Sequence, residues 1–237
     1  MSTVRVRRVV TTRQGGVSAP PYASFNLGDH VGDCLEAVAA NRERLARGLG
    51  LPVQRLIWME QVHGRTVTVV DGPQRQPVPA SDAVVTAQPW LAVAALVADC
   101  VPVLLADPVG KVVAAVHAGR VGARAGVLPA TLQAMRGLGA RIDKLEALLG
   151  PSACGQCYEV PIQMQADVEA HLPGSACRTR QGTAGLDLRA GLWRQLASAG
   201  VARIGVDPRC TMEDSTLYSY RRDGITGRLA AVTWFEE

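Results

Sequence analysis

The 237-residue sequence predicts an α+β fold in which mixed β-sheets are flanked by helices. Strand-like segments outnumber helical ones and several follow one another directly, which argues against a regular alternation of strands and helices. The central apolar segments lack the polar alternation of a half-exposed strand, so we expect those strands to be buried on both faces. Hydrophobic residues make up 48% of the chain, enough to offset the entropy that is lost on folding.

Short segments rich in Val, Ile, Leu and Ala are predicted to form the strands. They are residues 4–10, 66–70, 83–86, 91–97, 101–105, 112–116, 145–149, 203–206 and 229–234. Glycine and proline are spread along the chain as turn residues, and no internal repeat or low-complexity linker divides it. We therefore predict one domain that covers residues 1–237.

The helices are predicted from apolar periodicity together with residues that begin and end helices. Asp33 and Asp187 can cap the first turn of two helices, which then stop at Gly50 and Gly200. Two further helices are expected at residues 127–138 and 161–172.

The formal net charge of +4 raises the question of nucleic-acid binding. The cationic residues are nearly all Arg and are scattered, and no basic run is interleaved with the aromatic residues that a single-strand binder uses. The most apolar stretch, residues 91–106, is interrupted by Asp99 and Pro102 and is shorter than the ~20 residues that span a bilayer. We therefore expect neither a nucleic acid nor a membrane as partner.

Cysteine usage predicts a cytoplasmic protein with reduced thiols. Cysteines lie at positions 34, 100, 154, 157, 177 and 210, which is no disulfide-scaffold pattern in a chain of this length. The first eight residues are basic and lack the apolar segment of a signal peptide. The Cys154 and Cys157 pair is interpreted as a coincidental loop pair, because neither Cys177 nor Cys210 supplies a second C-x-x-C for a structural zinc.

His63, Cys100 and His117 are the leading candidates for chemistry. Each falls where a predicted strand gives way to a turn, a position that a rigid scaffold sets but leaves open on one side. Two imidazoles and a thiolate suit Zn²⁺, and three protein ligands leave a fourth position for water or substrate. Copper takes similar ligands and is the alternative metal. The residues alone equally fit structural histidines and a buried cysteine.

Arg13, Gly15 and Gly16 form a candidate phosphate site in the turn after the first strand. A guanidinium group and exposed backbone N–H groups together bind anions such as phosphate. The same three residues also fit an ordinary tight turn.

Several segments, taken in order, are similar to one known family. They are Thr11-Thr12-Arg13, Gly15-Gly16-Val17-Ser18, Asn26-Leu27-Gly28-Asp29-His30, Gln61-Val62-His63-Gly64, Ala98-Asp99-Cys100-Val101-Pro102, His117-Ala118-Gly119 and Ser219-Tyr220-Arg221-Arg222-Asp223. The resemblance is to the purine nucleoside phosphorylase family once called multicopper polyphenol oxidase or laccase-domain proteins, and it extends over nearly the whole chain.

The resemblance implies a fold, an activity and a set of site residues. The implied fold is a single domain of cysteine-hydrolase-like α/β/β/α architecture, with the metal held by the histidines and cysteine chosen above. The implied activities are phosphorolysis of adenosine, inosine and S-methyl-5′-thioadenosine, and deamination of adenosine, so the partners are a purine nucleoside and phosphate. Asp99 is then a candidate proton carrier or orienting residue, and Asn26 and Gln61 are candidates for substrate binding.

The segment Arg120-Val121-Gly122 departs from the family pattern, which reads Trp-Arg-Gly at this place. The aromatic residue is absent and the guanidinium stands one position earlier. If the backbone is extended there, the guanidinium faces the opposite side.

Other functions stay open from the sequence alone. Copper-dependent oxidation of polyphenols is disfavoured because the chain has only four histidines. A metal-free hydrolase or deamidase would use Cys100 as nucleophile with His117 or His63 as base. A part in editing cell-wall precursors is a further alternative that the resemblance brings.

Overall fold

The structure is a computed structural model that describes residues 4–237. The strands are β1 (Arg5–Val10), β2 (Leu56–Ile57), β3 (Val67–Val69), β4 (Ala83–Thr86), β5 (Ala92–Val97), β6 (Val101–Asp107), β7 (Val112–Ala118), β8 (Glu146–Leu149), β9 (Ala176–Arg178), β10 (Ala184–Leu186), β11 (Arg203–Val206) and β12 (Leu229–Glu236). The helices are α1 (Leu35–Leu49), α2 (Arg120–Ala125), α3 (Val127–Gly137), α4 (Ile162–His171), α5 (Leu188–Ser198) and α6 (Tyr220–Asp223). The predicted domain of residues 1–237 stays a prediction, and Met1 to Thr3 lie outside the described residues.

Two large sheets of mixed direction form the centre of the molecule. One has the order β11-β8-β6-β7-β4-β3 and is antiparallel in the middle and parallel at both edges. The other has the order β1-β12-β5-β2, in which only β2 runs parallel to its neighbour. Strands β9 and β10 form a separate antiparallel pair.

The sheets stack face to face and are covered by helices on both outer faces. Alternate residues of one strand point to different layers: Val93 and Ala95 of β5 pack between the sheets, whereas Ala94 packs toward α1. In β7, Ala115 packs between the sheets and Ala114 packs with residues of α3 and α5. The resulting α/β/β/α layers confirm the predicted fold class, and they explain why the central strands are apolar on both faces along most of their length.

The nine predicted strands are present to within two residues at either end. The helices expected at residues 127–138 and 161–172 are present as α3 and α4, and Asp187 caps α5 by accepting a hydrogen bond from the Ala190 N–H. Asp33 was wrongly expected to cap α1, because its Oδ1 accepts only from the adjacent Cys34 N–H and its Oδ2 from the Asn26 amide.

Five short elements were not predicted: β2, β9, β10, α2 and α6. Each has six residues or fewer and depends on its packing partners more than on its own sequence pattern. Within residues 4–237, no helix combines the length and apolar character needed to cross a membrane.

Candidate functional site

The three candidate ligands meet at one end of the stacked sheets. His63 lies in the loop between β2 and β3, and His117 lies in β7, paired with Pro102 of β6. Cys100 lies in the turn where the chain leaves β5 in one sheet and enters β6 in the other. Nε2 of His63 is 3.9 Å from Sγ of Cys100, and one ligand atom from each of the three residues lies within 4.8 Å of the others.

Buried Asp82, directly before β4, joins the loop of His63 to His117. Its carboxylate accepts hydrogen bonds from the backbone N–H groups of His63 and Gly64, at 3.0 and 2.6 Å. Its Oδ1 also lies 2.8 Å from Nδ1 of His117, which therefore presents Nε2 to the other two ligands. A carboxylate that orients a ligating histidine in this way is a usual feature of metal sites.

Gly119 keeps the space beneath the trio open. A Cβ atom at this position would lie 2.9 Å from Cδ2 of His63 and 3.0 Å from Sγ of Cys100, closer than real contacts allow. His63 itself has a φ of 59°, a left-handed conformation that is uncommon outside glycine and that turns its ring toward Cys100. Such local strain is found where a site requires a particular side-chain direction.

The Cys100 thiol and the His117 imidazole shift each other's protonation. Burial raises the pKa of Cys100, but His117 and His63 outweigh it and bring the pKa down to about 6. Burial lowers the pKa of His117, but Cys100 and Asp82 outweigh it and bring the pKa up to about 9. Both directions favour a thiolate beside a cation.

The donor set fits a transition-metal ion. With usual Zn–N and Zn–S bond lengths, a tetrahedral site places its nitrogen and sulfur atoms roughly 3.6 Å apart, close to the 3.9 Å between His63 and Cys100. His117 is buried, Cys100 is half-buried and His63 is exposed, so the set is held by the scaffold on one side and faces a cavity on the other.

The cavity in front of the trio has a volume of about 450 Å³, within the usual range for small-molecule sites. Three cations and two aromatic residues line it: Arg120, Arg221, Arg228, Tyr158 and Tyr220. Its floor is formed by the three candidate ligands and the end of β5.

None of the three cavity arginines forms an ion pair with a carboxylate in residues 4–237. Arg228 donates instead to the carbonyl groups of Thr226 and Gly227, each at 3.1 Å. Burial lowers the pKa of Arg228, and the nearby Cys100 and Asp99 raise it by a smaller amount. A half-buried guanidinium that pairs with no carboxylate among residues 4–237 can bind an anion.

The candidate phosphate residues in the turn after β1 are not brought to this cavity. Nε of Arg13 donates to the Ala23 carbonyl at 3.0 Å, and its guanidinium lies 4.9 Å from the Tyr218 ring centre. The Gly16 N–H donates to Oγ of Ser24 at 3.1 Å. Gly15 has a φ of 89°, as a turn glycine requires.

Asn26 and Gln61 both act on the walls of the cavity. Asn26 is fully buried, and its side-chain oxygen accepts from the Arg228 N–H at 2.8 Å, which holds the backbone of that cavity arginine. Gln61 lines the cavity and exchanges two hydrogen bonds with the backbone of Leu96, at 2.7 and 2.8 Å. Their roles in substrate binding stay predictions.

Asp99, directly before Cys100, has a backbone φ of 95°. Residues other than glycine rarely adopt such a positive φ. Both carboxylate oxygens are engaged: Oδ1 accepts from the Thr211 hydroxyl at 2.6 Å and Oδ2 from the Arg221 N–H at 2.7 Å. These bonds tie the Cys100 turn to the C-terminal part of the chain.

Arg120 stands where the family pattern has Trp, and an extended backbone there would turn its guanidinium to the opposite side. The backbone at Arg120 is helical instead. Arg120 is the first residue of helix α2, and its side chain lines the cavity. Gly122 lets this helix approach the His63 loop, since a Cβ atom there would lie 2.5 Å from the Gly64 carbonyl oxygen.

An α/β/β/α protein with two imidazoles and a thiolate facing a cavity is the class that the fold and the site define. Residues 7–236 match the model of the family described as multi-copper polyphenol oxidoreductase laccase. The chain belongs to this family.

Relatives in the family carry the name of an enzyme. The chain is 58% identical to the purine nucleoside phosphorylase of Corynebacterium glutamicum over 97% of this chain and 94% of that protein. It is 56% identical to the one of Mycobacterium tuberculosis over 99% and 94%. These names support an enzyme.

Solved structures of similar proteins share the fold. The hypothetical protein YfiH of Bacillus licheniformis has a TM-score of 0.90 and 30% identity, covering 98% of this chain and 93% of that one. YlmD of Geobacillus stearothermophilus also has a TM-score of 0.90, with 33% identity, covering 98% and 92%.

Asp82 and Arg228 were not selected as site residues from the sequence. An acidic residue directly before an apolar strand is a signal that could have pointed to Asp82, because a buried carboxylate needs partners. Arg228 ends Thr226-Gly227-Arg228, a segment that also resembles the family, but its place in the cavity is visible only in three dimensions.

Proposed function

We propose that the chain is a zinc-dependent purine nucleoside phosphorylase that acts on adenosine, inosine and S-methyl-5′-thioadenosine and also deaminates adenosine. The ligands in this proposal are His63, Cys100 and His117, with copper as the alternative metal. Because all six cysteines are free, we place the enzyme in the cytoplasm. The observation that carries the proposal is the convergence of the trio on a cavity lined by three arginines that have no ion-pair partner in the part of the chain that the structure describes.

Phosphate binds in this proposal to Arg228, with Arg120 as a second cation of the cavity. The negative charge of phosphate would satisfy the half-buried guanidinium of Arg228, which forms no ion pair with a carboxylate among residues 4–237. Asn26 supports this site through its bond to the Arg228 backbone.

Phosphorolysis breaks the bond between C1′ of the ribose and N9 of the purine and forms a bond from C1′ to a phosphate oxygen. The cavity residues hold the phosphate against the ribose, which replaces an encounter in solution by a fixed geometry. Negative charge develops on the departing purine and has to be stabilised. When bound, zinc supplies a Lewis acid beside the cavity floor for this purpose.

Deamination requires water at C6 of adenine and a proton for the departing ammonia. In this proposal Asp99 acts as a positioning residue, because both of its oxygens already accept hydrogen bonds. It holds the turn that carries Cys100. His63 is a metal ligand in this proposal, so the proton for ammonia has to come from another group that lines the cavity.

The test is an assay of metal-quantified protein against the three nucleosides, with and without phosphate. We expect free base and the sugar 1-phosphate only when phosphate is present, and ammonia from adenosine in either case. The sugar product is ribose 1-phosphate from adenosine and inosine and 5-methylthioribose 1-phosphate from S-methyl-5′-thioadenosine. The Cys100→Ser variant should lose both the trio's metal and both activities. Cys34→Ser, at an exposed position that does not line the cavity, is the matched control and should retain them.

Two results would overturn this function. One is turnover that persists in Cys100→Ser after its metal is lost. The other is a fully metal-loaded wild-type protein that releases no base from any of the three nucleosides in the presence of phosphate.

The phosphate site is tested by comparing Arg228→Ala with Arg13→Ala. Loss of a charge-assisted hydrogen bond costs about 1.5–3 kcal/mol, so Arg228→Ala should raise KM for phosphate roughly tenfold or more. Arg13→Ala should leave KM for phosphate close to the wild-type value. A larger effect at Arg13 would return the phosphate site to the turn after β1.

A metal-free thiol enzyme is the second candidate function, and the Cys100 and His117 pair favours it. A thiol with a pKa of about 6 beside a cationic imidazole is the usual form of an activated cysteine nucleophile. Activity that survives complete removal of metal, and that is abolished by alkylation of Cys100, would select this candidate over the phosphorylase.

A further inference from the structure

A second cluster of metal-binding side chains lies outside the trio. It consists of Cys154, Cys157, Cys210 and Glu213, and one ligand atom from each lies within 4.8 Å of the others. The sequence offers only one C-x-x-C pair, which was interpreted as coincidental. The fold supplies the second pair as Cys210 and Glu213, which has the same spacing.

The two pairs lie on turns with the same hydrogen-bond pattern. In the first turn, the N–H groups of Cys157 and Tyr158 donate to the Cys154 carbonyl, at 3.0 and 2.9 Å. In the second turn, the N–H groups of Glu213 and Asp214 donate to the Cys210 carbonyl, at 3.1 and 2.9 Å. Pairs of ligands with two residues between them, on tight turns, are typical of structural zinc sites.

The two turns are held against each other by the backbone. Ser152 and Cys210 form a parallel β-bridge, and the Thr211 N–H donates to the Ser152 carbonyl at 3.2 Å. The Cys154 N–H donates to Sγ of Cys210 at 3.4 Å, which stabilises negative charge on that sulfur. The sulfur atoms therefore converge because of the fold.

A nearby cation, Arg180, partly offsets the negative charge of the cluster. Three thiolates and one carboxylate carry four negative charges, and Zn²⁺ would leave two. Arg180 lies beside the cluster and pairs with one oxygen of Glu213, which leaves the other oxygen for a metal. The electrostatic cost of gathering four anionic ligands is reduced accordingly.

We propose that Cys154, Cys157, Cys210 and Glu213 bind a second, structural zinc ion. Four protein ligands would complete a tetrahedral site without an open position, so this zinc takes no part in turnover. The proposal is independent of the trio, because the two groups share no residue.

The second zinc would join two loops that support the candidate active site. Ala153 lines the cavity, and its N–H donates to the Asp99 carbonyl at 3.0 Å. Thr211 donates to the Asp99 carboxylate at 2.6 Å. The metal thus fastens the loops on either side of the turn that carries Cys100.

The test is the zinc content of chains expressed with zinc and purified under reducing conditions without chelator. We expect two zinc ions per chain in the wild type and one in Cys157→Ser. Cys100→Ser should retain one, and the combined variant none. Cys177→Ser is the matched control, because its half-buried thiol lies close by but outside the cluster, and it should bind as much zinc as the wild type.

The outcomes separate the two sites. Zinc content that Cys157→Ser leaves unchanged would overturn the second site, whatever happens at the trio. Loss of zinc in Cys157→Ser with no loss in Cys100→Ser would support the second site and contradict the zinc-dependent function.

A measurement on Cys100→Ser covers the case in which Cys157→Ser does not fold. Cobalt titrated into this reduced, zinc-depleted variant should give an intense sulfur-to-cobalt charge-transfer absorption, since Cys100 no longer contributes a thiolate. The absence of this absorption would overturn the proposal. So would a Cys154–Cys157 disulfide found by mass spectrometry of protein kept under reducing conditions.

Discussion

At the scale of single residues, Asp82 organises the site without facing the cavity. It is fully buried, and it joins β4, the His63 loop and β7 through one carboxylate. Burial raises the pKa of Asp82, but His117 and the N–H of Gly64 outweigh it and leave the pKa below its usual value. The carboxylate is therefore charged at neutral pH and favours the tautomer of His117 that the trio requires.

We expect Asp82→Asn to weaken zinc binding at the trio by about 10–100-fold, the usual cost of losing the partner of a ligating histidine. The amide has the same shape but keeps only one acceptor oxygen, so its NH2 group faces either the Gly64 N–H or the donors of His63 and His117, and that side loses its hydrogen bonds. Competition with a chelating dye measures the affinity. Asp143→Asn, on the surface, is the control, and equal affinities in both variants would contradict this role.

The protonation of Cys100 gives a prediction for the metal-free chain. A depressed pKa means that the thiolate is present above about pH 6 and is lost as the pH falls through that value. The raised pKa of His117 keeps its positive charge until about pH 9. The thiolate and the cation therefore coexist between these limits.

After removal of the metal, the rate of Cys100 alkylation by iodoacetamide should rise through about pH 6, not through the ordinary thiol value of 9.0. Peptide mass spectrometry follows the modified residue, and free cysteine alkylated in parallel provides the reference. A midpoint for Cys100 equal to that of free cysteine would show that the histidines do not stabilise the thiolate.

At the scale of elements, the junction of β7 and α2 determines how closely the trio can approach. Gly119 ends the strand segment beneath His63 and Cys100, and Gly122 packs the first turn of α2 on Gly64. Neither glycine has a left-handed φ, so both are required by close contact and not by backbone conformation.

Gly119→Ala should therefore lower zinc affinity at the trio about tenfold or more, with the fold retained, because the added Cβ atom pushes His63 and Cys100 apart. Dye competition and circular dichroism measure the two effects. Gly48→Ala in α1 meets no atom within 4 Å. It should leave zinc binding unchanged and add about 0.5–1 kcal/mol of stability. Unchanged zinc affinity in Gly119→Ala would show that the junction of β7 and α2 can shift to accommodate the added Cβ atom.

At the scale of the whole molecule, small residues allow the two sheets to stack closely. Ala95, Ala115 and Ala231 lie in the layer between the sheets. This close stacking brings the end of β5 in one sheet next to the ends of β6 and β7 in the other, where Cys100 and His117 lie.

Ala115→Leu should destabilise the protein by about 1–3 kcal/mol, the usual cost of inserting methylene groups into a packed core. Urea denaturation measures the free energy of unfolding. Ala40→Leu on the exposed side of α1 is the matched control and should change it by no more than about 0.5 kcal/mol. Similar values for the two variants would indicate that the intersheet layer has room to spare.

Local patterns in the sequence were sufficient to predict the strands and most of the helices, and they named His63, Cys100 and His117 as candidate ligands. These depend on apolar periodicity, on capping residues such as Asp187, and on ligand chemistry, all of which are present in short segments. Asp33 shows the limit of this approach, because its side chain accepts a hydrogen bond from the Asn26 amide and does not cap a helix.

The tertiary structure alone decided which distant groups share a space. Arg228 lines the cavity while Arg13 packs on Tyr218, and Cys210 with Glu213 completes a set of ligands that one C-x-x-C could not. Each of these results depends on how strands of two sheets and their loops end at the same edge. The spacing of residues in the sequence does not predict which distant side chains come into contact. The intervening chain can fold in many ways, and only the packing of the whole molecule selects one conformation.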